Sequence, residues 1–199
     1  MRFLALGDSY TIGEGVAPAE SWPAQLAAGL RAAGYPATDL AVIARTGWTT
    51  DDLAAALTAA APVGPFDLVS LLIGVNNQYR GRPVAAYQAE FAALLDRAVA
   101  LAGGRPGRVV VLSIPDWGVT PFAAGRDRAA IAAAIDQFNA ANRAESGRRG
   151  ARYVDITPLS RRAAFEPALV AADGLHPSAG LYANWVARLL PEVRVLLKP

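Results

Sequence analysis

Short apolar runs alternate along the chain with longer segments of helical pattern. Each apolar run is continuous, as expected of a strand that is buried on both faces of a parallel sheet. Five such runs predict strands, over residues 2–6, 40–44, 67–73, 108–114 and 152–156. The segments between them predict helices over residues 21–33, 50–61, 84–101 and 127–146, and a last helix follows Pro177.

This alternation predicts the α/β fold class. Strands and helices that alternate without a repeat or a linker pack as one parallel sheet with helices on both faces, a three-layer α/β/α arrangement. Right-handed crossovers make such a sheet doubly wound, and five strands favour the flavodoxin-like order 2-1-3-4-5. We therefore expect residues 1–199 to form a single domain.

Candidate site residues follow each of the first three predicted strands. Ser9 follows the first strand, Gly47 the second and Asn76 the third. Ligands of doubly wound sheets bind beyond the carboxyl ends of the strands, near the point where the strand order reverses. In the order 2-1-3 the first strand is central, so we expect Ser9 to lie between Gly47 and Asn76.

His176 is the only histidine and therefore the one imidazole that can activate a serine. Pro177 disfavours helix for His176 and is expected to take the first position of the last helix, which places His176 in a loop. Asp173 precedes it on that loop and can orient the imidazole. Ser9 is thus the expected nucleophile, His176 its base and Asp173 the orienting carboxylate.

An oxyanion hole is expected beside this serine. Its donors would be the backbone N–H groups of Ser9 and Gly47 and the side-chain amide of Asn76. Taken singly, each of these residues also fits an ordinary turn or helix cap. The prediction of function depends on their convergence at one sheet edge.

Composition narrows the range of partners. The chain is 53% hydrophobic and 18% charged, which is typical of a compact globular protein. Its net charge is only +2, and its arginines are scattered without interleaved aromatic residues, so we expect no nucleic acid partner. With no cysteine and one histidine, only carboxylates remain as further metal ligands. We expect neither a metal nor a cofactor.

No apolar run approaches the ~18 residues of a membrane span. The apolar run at residues 3–6 is too short for a signal peptide and leads directly into the candidate site. We therefore expect a soluble, cytoplasmic protein, taken to be a monomer, that acts on a small molecule.

Four blocks of sequence carry a resemblance to a known family. They are Gly7-Asp8-Ser9-Tyr10, the glycine Gly47, Gly74-Val75-Asn76-Asn77 and Asp173-Gly174-Leu175-His176-Pro177. In this order they resemble the SGNH (GDSL-type) hydrolases. The resemblance implies a triad of Ser9, His176 and Asp173, oxyanion donors at Ser9, Gly47 and Asn76, and metal-independent hydrolysis of a small-molecule ester or thioester. It implies no particular ester, because the family includes lipases, thioesterases, arylesterases and carbohydrate deacetylases.

Two residues depart from the usual motifs of that family. The first block often continues with leucine where this chain has Tyr10, and the third usually ends in aspartate where it has Asn77. Neither departure removes an implied catalytic group. Both are expected to alter the shape of the substrate pocket.

Aromatic residues near the same sheet edge are candidates for lining that pocket. The predicted lining residues are Tyr10, Trp48, Tyr79 and Trp117, with Phe122 close by. The loop over residues 115–125 is expected to form one wall. Arg45 and Arg80 flank the site, where they would either hold an anionic leaving group or form a solvated rim.

Two other classes of protein fit part of this pattern. A flavodoxin-like binding module would hold a flavin or another phosphate ligand at the same edge, but it leaves Asp173 and His176 without a role. An interaction protein that has kept the fold and lost activity would not need Ser9, His176 and Asp173 to be intact. The hypothesis that gives a role to all of these residues is a serine esterase.

Overall fold

The computed structural model describes residues 1–35 and 39–198. The strands in this part of the chain are β1 (Arg2–Gly7), β2 (Asp39–Ala44), β3 (Leu68–Leu72), β4 (Val109–Leu112) and β5 (Arg152–Val154). The α-helices are α1 (Ser9–Ile12), α2 (Trp22–Ala32), α3 (Thr50–Ala60), α4 (Val75–Tyr79), α5 (Val84–Leu101), α6 (Arg128–Arg149), α7 (Thr157–Arg161) and α8 (Ala179–Leu196). Among these described helices, none is both long and apolar enough to cross a membrane.

The five strands form one parallel sheet in the order β2-β1-β3-β4-β5. This confirms the predicted fold class and strand order. At the end of β1, Gly7 pairs with Ala44 of β2 on one side and with Leu72 of β3 on the other. The three strands therefore end level with one another, and the segments that follow them start at the same edge of the sheet.

Helices cover both faces of the sheet. Every residue of β3 and of β4 is buried, as strands in the middle layer of three must be. α2 packs against α8, while α5 packs against both α3 and α6. The largest fully buried side chains of the core include Trp22, Trp185, Tyr87 and Tyr182.

Side-chain caps fix the start of the longer helices. At the start of α3, the Thr49 backbone N–H donates to Asp52 Oδ2 at 3.0 Å and the Thr49 hydroxyl donates to the same oxygen at 2.7 Å. At the start of α6, Asp127 Oδ1 accepts from the Ala130 N–H at 2.9 Å. Such caps satisfy N–H groups that have no partner within the helix. These two helices therefore start within a residue of their predicted positions.

The structure differs from the sequence prediction in its shortest elements. α1, α4 and α7 have only four or five residues each, and the sequence pattern predicts no helix at these positions. Their length is little more than one helical turn, which is too short to show a 3.6-residue hydrophobic period.

The prediction that Pro177 begins the last helix is wrong. α8 starts at Ala179, and the Ser178 hydroxyl caps it by accepting from the Leu181 N–H at 3.4 Å. Pro177 instead forms an isolated antiparallel bridge with Val170. This bridge closes the loop that carries Asp173 and His176, so the loop is held at both ends like a β-hairpin before α8 begins.

Candidate active site

Ser9 lies where β1 passes into α1. Asp8 is the N-cap of that short helix, and its Oδ1 accepts from the Tyr10 N–H at 3.0 Å. Gly7 is required for this tight passage, because a Cβ there would lie 2.1 Å from Thr11 Oγ1 and 2.4 Å from the Leu72 carbonyl oxygen. Ser9 is thereby the first residue of a helix at the carboxyl end of β1, which lies between β2 and β3 in the sheet.

A chain of hydrogen bonds joins Ser9 to His176 and Asp173. The Ser9 hydroxyl is 3.0 Å from His176 Nε2, and His176 Nδ1 is 2.6 Å from Asp173 Oδ2. Ser9 and His176 are buried, at 5% and 6% exposure. The structure thus brings together three residues from opposite ends of the chain, in the order that a serine, a base and an orienting carboxylate require.

Asp173 is fixed by its own loop. Its Oδ1 accepts from the backbone N–H groups of Leu175 at 2.9 Å and of His176 at 3.0 Å. Partial burial raises the pKa of Asp173, but the hydrogen bonds from Leu175 and His176 outweigh it and hold the pKa below its usual range. The carboxylate is therefore ionised at neutral pH and has one oxygen directed at the imidazole.

Gly47 and Asn76 lie in two segments that contact each other. Gly47 belongs to the turn over residues 45–48, which we call the Gly47 turn, and has a φ of 80°, a left-handed value that favours glycine. Asn76 is in α4, and its Nδ2 donates to the Trp48 carbonyl oxygen at 2.9 Å. A primary amide carries two N–H donors, so this bond leaves one of them for a ligand.

A pocket of about 190 Å³ opens directly onto Ser9 and His176. Its other lining residues are Tyr10, Val75, Asn76, Tyr79, Trp117, Phe122 and Leu175. Three of the four predicted lining residues are therefore in place. Trp48 is not: its side chain is half-buried against the hydrophobic core. Val75 and Leu175 were missed, although each stands beside a motif residue in the sequence.

One side of this pocket is an aromatic wall formed by Tyr79, Trp117 and Phe122. Their ring centroids are 5.4 to 6.1 Å apart. The guanidinium of Arg126 lies 5.2 to 5.4 Å from all three centroids, in cation–π contact. Nothing in the sequence pattern signalled Arg126, because its place depends on how the preceding loop folds.

The loop over residues 115–125 carries Trp117 and Phe122, two of the three rings of that wall. It contains two 3₁₀ turns, Trp117–Val119 and Pro121–Ala123. Trp117 Nε1 donates to Gln78 Oε1 of α4 at 2.8 Å, and the Phe122 N–H donates to the Gly174 carbonyl oxygen at 2.9 Å. The loop therefore connects the segment of Asn76 with the loop of His176.

Tyr10 and Asn77, the two departures from the usual motifs, lie in different surroundings. The Tyr10 ring packs edge-on to the imidazole of His176, with centroids 5.5 Å apart, and lines the pocket. Asn77 is fully buried and faces α3, where its Oδ1 accepts from the Thr50 N–H at 3.1 Å. Asn77 is thus absent from the residues that line the pocket and acts on the start of α3 instead.

A second carboxylate lies near the imidazole. Glu14 Oε2 is 3.8 Å from His176 Nε2 and accepts a hydrogen bond from the Thr46 hydroxyl. Glu14 is not among the predicted site residues, and its only signal in the sequence is its closeness to Ser9 along the chain. No group of three or more metal-ligating side chains occurs within residues 1–35 and 39–198.

Comparison with known proteins identifies the family. Residues 5–184 match the model of the GDSL-like lipase/acylhydrolase family. The chain therefore belongs to this family, which assigns it to the hydrolases of the esterase type. No curated protein sequence matches the chain.

Solved structures show the same fold. TesA superimposes with a TM-score of 0.77 at 22% identity, over 99% of this chain and 100% of its own. The psychrotrophic esterase EstA from Pseudoalteromonas sp., in a structure inhibited by monoethylphosphonate, gives 0.74 at 19% identity, with 98% of each chain covered. Axe2, an acetylxylan esterase from Geobacillus stearothermophilus, gives 0.73 at 20% identity, over 96% of this chain and 93% of its own.

Proposed function

We propose that this protein is a serine hydrolase that cleaves carboxylic esters or thioesters through an acyl-enzyme on Ser9. The observation that carries the proposal is the unbroken chain of hydrogen bonds from the Ser9 hydroxyl through His176 to Asp173. A buried serine with a base within hydrogen-bond reach, and a third group that orients the base, is the arrangement of an activated nucleophile.

In the first half of the reaction, His176 Nε2 takes the proton of Ser9 as Oγ attacks the ester carbonyl carbon. Asp173 stabilises the imidazolium that forms and holds its tautomer. His176 then gives the proton to the departing alkoxide of an ester or thiolate of a thioester, and the acyl group stays on Ser9. In the second half, a water molecule attacks the acyl-enzyme by the same proton route and releases the carboxylic acid.

The tetrahedral intermediates place a negative charge on the former carbonyl oxygen. We assign its donors to the backbone N–H groups of Ser9 and Gly47 and to the free N–H of the Asn76 amide. Asn76 is supported by its place in the pocket wall beside Ser9. Loss of one such donor costs on the order of 3–4 kcal/mol of transition-state stabilisation.

The pocket favours an ester with one apolar group of modest size. Tyr79, Trp117 and Phe122 offer ring faces and edges, and the volume of about 190 Å³ suits a short acyl chain or a single aryl ring. Axe2 and EstA are an acetylxylan esterase and an esterase by name. Acetylated sugars, short acyl esters, aryl esters and thioesters are therefore the substrate classes to compare.

The experiment that tests the proposal measures hydrolysis of p-nitrophenyl acetate, butyrate and octanoate by the wild type and by Ser9→Ala. We expect the alanine variant to lose activity and to escape labelling by a fluorescent alkylphosphonate that marks the wild type. Thr58→Ala, which removes a surface hydroxyl, is the matched control and should behave as the wild type does. Full activity in Ser9→Ala would refute the proposal.

We also propose that the reaction needs no metal and no cofactor and that residues 1–199 act as one domain. Dialysis against EDTA should leave the rate unchanged, and a clear loss would point to a metal. The flavodoxin-like binding module gives no role to the hydrogen-bonded Asp173 and His176. Flavin absorption in the purified protein would favour that alternative.

A further inference from the structure

The Gly47 turn is held from outside at consecutive positions. Arg80 Nη2 donates to the Gly47 carbonyl oxygen at 2.7 Å, and Asn76 Nδ2 donates to the Trp48 carbonyl oxygen at 2.9 Å. On the other side, the Thr46 hydroxyl donates to Glu14. Within the turn, the only backbone hydrogen bond among the described contacts runs from the Trp48 N–H to the Arg45 carbonyl oxygen, at 3.2 Å.

Arg80 and Asn76 reach this turn together because of α4. Arg80 is the C-cap of that helix, and its N–H donates to the Asn76 carbonyl oxygen at 3.1 Å. Residues four apart on a helix lie on the same face. One helical turn thus places an amide and a guanidinium against two successive carbonyl groups of the neighbouring loop.

Gly47 needs such a restraint more than other residues do. Glycine has the widest backbone freedom of any residue, and the φ of 80° is not enforced by a side chain of its own. An oxyanion donor works only if its N–H is already aimed at the site, since a displacement of about 1 Å can cost ~100-fold in rate.

We propose that Arg80 is a positioning residue that fixes the orientation of Gly47 by holding its carbonyl group. This inference rests on the proposed function, in which the Gly47 N–H stabilises the oxyanion. Arg80 is well placed for the task. Among the described residues, no carboxylate lies within ion-pairing distance of the Arg80 guanidinium. Its one recorded side-chain hydrogen bond goes to the Gly47 carbonyl oxygen.

The kinetic test compares Arg80→Ala, Arg80→Gln and Arg80→Lys with the wild type. We expect Arg80→Ala to lower kcat by about 10- to 100-fold with KM changed less than threefold, because a transition-state interaction is lost. Arg80→Lys and Arg80→Gln keep a donor and should recover part of kcat. Arg82→Ala is the matched control, since Arg82 pairs with Asp51 of α3 and not with a carbonyl group of the Gly47 turn, and its kcat should match that of the wild type.

Two kinetic results would overturn the inference. An unchanged kcat in Arg80→Ala would show that Gly47 needs no help from Arg80. A rise in KM alone would make Arg80 a substrate-binding residue instead.

A second readout does not depend on activity. The backbone amide of Gly47 should show a lower NMR order parameter in Arg80→Ala than in the wild type, while the amide of Asn77 should not change. A rigid Gly47 amide in the variant would refute the inference even if no ester is found. Failure of the proposed function is seen separately: the alkylphosphonate would then leave Ser9 of the wild type unlabelled, whatever the order parameter of the Gly47 amide.

Discussion

Two carboxylates stand beside the two central residues of the candidate site, and their surroundings are opposite. Asp8 precedes Ser9 and is 1% exposed, while the Asp173 side chain is 36% exposed on the loop of His176. Burial raises the pKa of Asp8 to about 7, against a weaker opposing effect of the hydrogen bond from Tyr10. At Asp173 the hydrogen bonds outweigh the burial and lower the pKa.

The contrast explains why Asp8, the sequence neighbour of Ser9, is not the carboxylate that orients His176. Asp8 uses Oδ1 to cap α1, and its Oδ2 has no hydrogen-bond partner in the described part of the chain. Of these two aspartates, Asp173 is the one that hydrogen-bonds to the imidazole of His176. An ionised carboxylate is useful where solvent and several donors stabilise its charge, and costly where neither does.

The largest expected effect is the loss of activity in Asp173→Asn. The amide cannot stabilise the imidazolium and favours the wrong tautomer of His176, so kcat should fall by on the order of 10³–10⁴-fold. Steady-state hydrolysis of p-nitrophenyl butyrate measures this. Asp8→Asn should lose less than tenfold, because asparagine is an equally good N-cap. Equal losses in the two variants would contradict the assigned difference in role.

Next in size is the effect of Asp8 on the free energy of unfolding. The pKa of Asp8 is higher in the folded state than in the unfolded state. Its contribution to the stability of the folded protein is therefore fully present below about pH 3.8 and is lost as the pH rises towards about 7. One pKa unit corresponds to about 1.4 kcal/mol, so the full loss is on the order of 4 kcal/mol.

This effect is measured by urea unfolding of the wild type and of Asp8→Asn between pH 4 and 8. The variant should gain stability relative to the wild type as the pH rises, because its side chain cannot ionise. A difference in unfolding free energy that stays constant over this range would mean that Asp8 titrates as an exposed aspartate does.

The smallest expected effect is on the stability that Asp173 provides, which changes with pH in the opposite direction to that of Asp8. The folded-state pKa of Asp173 is lowered, so its contribution is present above about pH 3.8 and is lost as the pH falls through the lowered pKa. Since its side chain is partly exposed, solvent screens most of this contribution. Urea unfolding of Asp173→Asn at pH 3 to 5 should show the difference from the wild type growing with pH.

Much of the fold could be read from the pattern of apolar runs. Strands such as β3 and β4 are continuous apolar stretches bounded by turn residues, and the parallel order follows from helices between all of them. The short helices could not be read in this way. α4 has five residues, yet it aims both Asn76 and Arg80 at the Gly47 turn.

The sequence by itself determined that Ser9 and Asn76 follow the ends of strands and that the single histidine lies in a loop before the last helix, because strand ends and motif order are local properties. Only the tertiary structure decided that Trp48 is absent from the pocket lining, that Val75 and Leu175 join it, and that Arg126 and Glu14 approach the site. Burial and the packing of loops set these contacts, and both depend on segments far apart in the chain. Trp48 and Pro177 illustrate this limit: Trp48 packs against the core, and Pro177 pairs with Val170 instead of starting α8.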